Sequence, residues 1–129
     1  MAAIGRRNVQ EQNAETKARI RAVAALFKED PLRVAWLFDL LQAQSVSAEG
    51  ILVSLADVPE QSGQQYYGMW LTLERQFFRF SVVISRDTGE FELEEWRDVT
   101  AETIVNEHVP GTGKSFGFLA LEVLRELQD

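Results

Sequence analysis

The sequence predicts an α+β fold, and three observations predict it. Apolar residues recur at helical spacing before residue 45, alternate with polar ones as in strands between residues 51 and 97, and return to helical spacing after Ser115. The expected architecture is two N-terminal helices, a four-stranded antiparallel meander and a C-terminal amphipathic helix packing on the sheet with them. A chain of 129 residues fits one domain, 1–129, with 1–7 expected to be flexible. A domain of that size buries roughly two thirds of the surface its unfolded chain exposes.

From Asn8 to Glu29, Ile20, Val23, Ala24 and Phe27 fall on one stripe at i, i+3, i+4, i+7, which reads as a first helix. Glu15 and Arg19 stand in the favourable i, i+4 order, whereas Lys17 and Arg21 repel at the same spacing. Asp30 and Pro31 read as an N-cap and first helical position, because the carboxylate accepts an orphan N–H and proline has none to lose. A second helix then runs to about Gln44. Val34, Leu37, Phe38 and Leu41 form its stripe, and Leu32, Ala35, Trp36 and Leu40 widen it, so this helix is expected to be the central one.

After the small-residue connector Ser45 to Gly50 the period changes. Ile51, Val53 and Leu55 alternate with Leu52, Ser54 and Ala56 in a first strand that stops near Pro59. Tyr66 to Leu73 forms a second, with Tyr67, Met69, Leu71 and Leu73 opposite Tyr66, Gly68, Trp70 and Thr72. A tight connection at Glu74 to Gln76 leads to a third, Phe77 to Ser85, with Phe78, Phe80, Val82 and Ile84 on the core face. Arg86-Asp87-Thr88-Gly89 is a hairpin signal, since Asp starts turns through its side chain and Gly supplies positive φ. The fourth strand is Glu90 to Arg97, and short connections require antiparallel pairing. Thr100 to Asn106 reads as a short helix capped by Thr100, with an extra strand as the alternative. In the last helix Phe116, Ala120, Val123, Leu124 and Leu127 form the apolar stripe, with Glu122, Arg125 and Glu126 toward solvent.

Composition removes whole classes of function. With 46% hydrophobic and 26% charged residues the chain is of globular type, and the absence of cysteine excludes disulfides, thiolate metal sites and cysteine nucleophiles. No apolar run reaches the roughly 18 residues of a membrane helix, and MAAIGRRNVQEQ lacks a signal-peptide core, so a cytoplasmic location is expected.

The charge is concentrated. Arg86 to Glu107 holds Asp87, Glu90, Glu92, Glu94, Glu95, Asp98, Glu102 and Glu107 against Arg86 and Arg97; 8 negatives less 2 positives give -6 of the formal -7. Such a face repels nucleic acid and steers basic partners toward itself.

Gly111-Thr112-Gly113-Lys114-Ser115 matches the second half of a phosphate-binding P-loop. The full motif needs glycine five positions before Gly113, where His108 stands, and only 14 residues follow Ser115 to continue a mononucleotide fold. The plainer reading is a glycine turn with Ser115 as N-cap. Between the two lies an anion site built from Thr112, Gly113, Lys114 and Ser115 at a helix start. His108 is the only histidine and has no serine or cysteine partner at a recognisable spacing. Glu92 and Glu94, two apart on a strand, share a face that Trp96 continues, with Phe91 and Leu93 on the other side. A solvated sheet face is the commonest source of such alternation. An outward face carrying Tyr66, Trp70, Phe77, Arg79, Glu92, Glu94 and Trp96 would instead suit a binding surface, unless a helix covers the aromatics.

In size, acidity and lack of catalytic motifs the chain resembles the small immunity proteins that neutralise bacterial toxins. The resemblance implies a stoichiometric, non-catalytic inhibitor whose acidic face covers a basic substrate groove, with Glu92, Glu94, Glu95, Trp96 and Asp98 as the partner-binding residues. It implies a protein partner with a basic surface; no cofactor or metal is expected, the charge disfavours nucleic acid, and the absence of a long apolar run disfavours a membrane. Two alternatives stay open: a small-molecule or anion-binding domain, or an enzyme acting through His108, that uses the 111–115 loop, and a homodimeric structural subunit.

Overall fold

The computed structural model describes residues 9–29, 35–105 and 116–128. The expectations for residues 1–7, the Asp30–Pro31 cap, His108 and the anion loop Thr112 to Ser115 lie outside the described residues. The elements are α1 Val9–Glu29, α2 Ala35–Ala43, β1 Gly50–Pro59, β2 Gly63–Thr72, β3 Phe77–Ser85, β4 Phe91–Asp98, α3 Thr100–Val105 and α4 Phe116–Gln128. The strands form one antiparallel sheet in the order β1-β2-β3-β4, the expected meander. Residues 100–105 are helical, which resolves the helix-or-strand alternative.

Both faces of the sheet carry a core, and the helices divide between them. On one face, Ile51, Val53, Leu71 and Phe77 are buried with Ile20 and Ala24 of α1 and Leu119, Ala120, Val123 and Leu124 of α4. On the other, Leu52, Trp70, Phe78, Phe80 and Val82 are buried with Trp36, Leu37, Leu40 and Leu41 of α2. The helices therefore do not pack together on one side. The buried triplet Ile51-Leu52-Val53 follows directly, since a strand covered on both sides reads as a continuous apolar run. In α2, Leu37, Leu40 and Leu41 are the seam while Phe38 is 41% exposed. In α4 the seam is Leu119 to Leu124, and Phe116 and Leu127, expected on the stripe, are exposed.

Two β-bulges reset the strand alternation. The first, between Leu52 and Ser54, moves Leu55 to the α2 face beside Leu52, where strict alternation places it with Ile51 and Val53. The second, in β4, is decisive for the surface described below.

Connections are short and locally specified. At the end of α2, Ser45 takes φ 56°, and the N–H groups of Ser45 and Val46 donate to the carbonyls of Gln42 (3.1 Å) and Leu41 (2.9 Å), a Schellman closure. Gly89 takes φ 72° at the β3–β4 hairpin, as the turn chemistry requires. The start of α3 differs from expectation. The Thr100 N–H donates to Asp98 Oδ1 (2.9 Å), while the Thr100 hydroxyl accepts from the Phe77 N–H (2.9 Å), so Asp98 serves the helix end and Thr100 ties it to β3.

Candidate functional site

Among the described residues, the face under α1 and α4 is covered only at one end. Beyond Met69 none of the described helices covers it, and register defines its rows: Ser54–Met69–Arg79–Arg97, then Ala56–Tyr67–Ser81–Glu95. Between them lies a concavity of about 660 Å³ whose lining includes Ser54, Tyr67, Arg79, Ser81, Glu94 and Glu95.

The acids reach this surface through the second bulge. Ser81 pairs with Glu95 but Val82 with Leu93, so Glu94 is the extra residue. Its carboxylate accepts from the Ser81 hydroxyl (3.2 Å) and from the Gln65 amide, which also donates to Ser81 (3.3 Å). Ser81 and Gln65 both belong to the open face, and so therefore does Glu94. Glu95 opposes Ser81 and Glu92 opposes Val83, which brings three carboxylates to one side of one strand.

The expected continuation of that acidic face by Trp96 does not hold. Trp96 opposes Phe80 and stacks on Phe78 (5.1 Å) and Phe80 (6.2 Å), half-buried on the α2 face with Phe91 and Leu93. Asp98 is likewise engaged elsewhere: two hydrogen bonds from Thr100, first the hydroxyl (2.5 Å) and then the N–H, hold its carboxyl below the usual range. Of the five residues expected to meet a partner, the structure gathers Glu92, Glu94 and Glu95 and separates Trp96 and Asp98.

The aromatics of the expected outward face are also redistributed. Tyr66 and Trp70 lie on the α2 face, where Trp36 contacts Tyr66 (5.1 Å) and Trp70 donates to the Ser47 carbonyl (3.2 Å). Phe77 is buried under α1 and α4. A covering helix, α2, thus accounts for Tyr66 and Trp70. The aromatic that does face the open concavity is Tyr67, 46% exposed, and strand parity from Met69 and Leu71 is the signal that points to it.

Two cations complete the surface. Arg79 and Arg97 are direct cross-strand partners, a like-charge pair that is unfavourable on its own. Arg97 reaches Glu102 at 3.6 Å, whereas Arg79 has no ion pair among the described residues. Arg79 also borders a second hollow of about 180 Å³ with Glu102, Thr103 and Phe116. Among the described residues no group of three His, Cys, Asp or Glu side chains could hold a metal ion, and no helix is long and apolar enough to cross a membrane. Compared with known proteins, the chain matches no family model, no curated protein and no solved structure.

Proposed function

We propose that this chain is a non-catalytic protein-binding domain that receives a basic partner on the open half of its sheet. One observation carries the reading: the β4 bulge sets Glu94 beside Glu95 and Glu92 on a face that none of the described helices covers, with Glu94 and Glu95 lining a concavity that holds exposed Tyr67. Carboxylates in a row favour Lys and Arg and speed their encounter, a flat aromatic gives contact area at low entropy cost, and the central Arg79 cation fixes orientation. An inhibitor that covers the basic groove of a toxin enzyme is the particular form of this role that the chain's profile resembles.

The test uses a flexible decapeptide of alternating lysine and serine as probe, followed by amide chemical shifts. Shifts concentrated at Gln65, Tyr67, Ser81 and Glu92 to Glu95 support the reading. The double reversal Glu92→Lys with Glu94→Lys should abolish them. The same charge change at the hairpin, Asp87→Lys with Glu90→Lys, should leave them in place. Equal loss in both variants would reduce the effect to net charge and overturn the proposal.

A further inference from the structure

We infer that β4 is a docking edge for an extended segment whose residues alternate between basic and apolar, added antiparallel or parallel as a fifth strand. This rests on the protein-binding reading and names the partner's chemistry. β4 ends the sheet: its Phe91–Asp98 backbone pairs with β3 on one side, and no strand lies on the other among the described residues. An edge strand presents unpaired N–H and C=O groups that serve as a template for another chain.

The direction of those groups follows from the ladder. Val99 N–H donates to the Phe77 carbonyl (2.9 Å) and Ser85 N–H to the Glu90 carbonyl (2.8 Å). In an antiparallel pair the bonded residues alternate, so counting in twos from these ends and across the bulge leaves Phe91, Leu93 and Trp96 with their N–H groups turned away from β3. The same residues put their side chains on the α2 face, where they are only half-buried against the core. The edge is thus two-sided, with apolar shelf on one face and Glu92, Glu94 and Glu95 on the other.

That asymmetry selects the occupant. A second copy of β4 added edge to edge would bring glutamates against glutamates on the open face, and like charges across strands are destabilising. A strand with Lys or Arg at every second position places cations beside Glu92, Glu94 and Glu95. Its intervening apolar side chains extend the shelf of Phe91, Leu93 and Trp96. Backbone hydrogen bonds supply affinity and the alternation supplies specificity, as in other strand-addition complexes.

The experiment compares three probes on the full chain: an eight-residue peptide of alternating lysine and valine, the same peptide N-methylated at every second residue to remove one edge of donors, and the flexible lysine–serine peptide. The alternating peptide should slow hydrogen exchange at the Phe91, Leu93 and Trp96 amides by at least about tenfold, and the methylated one should not. On the protein side, Leu93→Pro removes an outward N–H along with a shelf side chain, whereas Leu93→Ala removes the side chain alone; binding should weaken in the second and fail in the first. If the methylated and lysine–serine peptides bind as well as the alternating one, strand addition is overturned while the acidic-face reading stands. If no peptide binds, both fall.

Discussion

Glu94 and Trp96 stand two residues apart in β4 and on opposite faces of the sheet, because the bulge inserts one residue between the Ser81–Glu95 and Val82–Leu93 pairs. The insertion lets one strand show adjacent carboxylates to solvent while Trp96 stays stacked on Phe78. Removing Glu94 should therefore restore regular alternation without moving Trp96. Deletion of Glu94 loses only the hydrogen bonds to Ser81 and Gln65, about 1 kcal/mol. Deletion of Leu93 instead removes a shelf residue and should cost more. Denaturant unfolding of the two deletion variants checks the order, and equal losses would count against the bulge as the origin of the acidic face.

Gly68 and Phe80 make a second relationship that admits a sharp test. They are direct cross-strand partners, and a Cβ added at Gly68 would collide with the tip of the Phe80 ring, on which Trp96 stacks at 6.2 Å and which Trp36 meets edge-on at 6.0 Å. The two indoles restrict the directions in which the ring can yield. Gly68→Ala should destabilise by about 1–3 kcal/mol through overpacking. Pairing it with Phe80→Leu should recover part of that loss relative to the sum of the single changes, and strict additivity in a double-mutant cycle would show that the two do not collide.

The meander could be read from the sequence because its signals are local. Phe77 to Ser85 carries Phe78, Phe80, Val82 and Ile84 on one parity and forms β3 over the same residues, and Asp87 to Gly89 closes the hairpin as turn chemistry dictates. What parity alone misreads is a strand that changes parity. In Phe91-Glu92-Leu93-Glu94-Glu95-Trp96 the apolar spacing runs two, then three, and the step of three is the bulge's only trace in sequence. The division of the helices between faces left a similarly faint mark. Ile51-Leu52-Val53 is apolar on both parities because α1 and α4 cover one side and α2 the other, yet a short apolar run is equally compatible with a single covered face. The half of the sheet that the described helices leave uncovered is a tertiary fact, and no local pattern encodes it.

Asp98 should behave as a folding residue before it behaves as a binding one. Its carboxylate holds the Thr100 hydroxyl and N–H at the start of α3, and Thr100 in turn is bonded to Phe77. Asp98→Ala should cost about 1 kcal/mol of stability with no partner present. Because the folded carboxyl titrates below its unfolded value, its contribution is complete above about pH 4 and is lost as pH falls through the folded value. Thermal unfolding from pH 7 to pH 2 should show wild type and variant converging at the acid end, and a gap that persists there would place the role of Asp98 elsewhere.

Glu126 resolves the repulsion that the sequence places between Lys17 and Arg21. Its carboxylate takes Lys17 Nζ at 2.7 Å and Arg21 at 2.9 Å, so one acid on α4 bridges two cations one turn apart on α1, with Glu122 adding a second contact to Lys17 at 3.2 Å. The hydrogen bond from Lys17 and then that from Arg21 hold the Glu126 carboxyl below its usual value, and the bond to Glu126 raises Lys17 above its own. The two shifts place the support of the α1–α4 contact in a window. The glutamate's share is present above its unfolded value near about pH 4.3 and disappears as pH falls through the lower folded value. The lysine's share is present below about pH 10.4 and disappears as pH rises through the higher folded value. Glu126→Gln should therefore lower the melting temperature modestly at pH 7. The difference should shrink toward zero at the acid end, shrink partly at strongly alkaline pH as Lys17 loses its charge, and diminish in 1 M salt, where screening acts within about 3 Å. A difference that is constant across pH and salt would mean that Glu126 acts through packing, and that Lys17 and Arg21 draw no support from it.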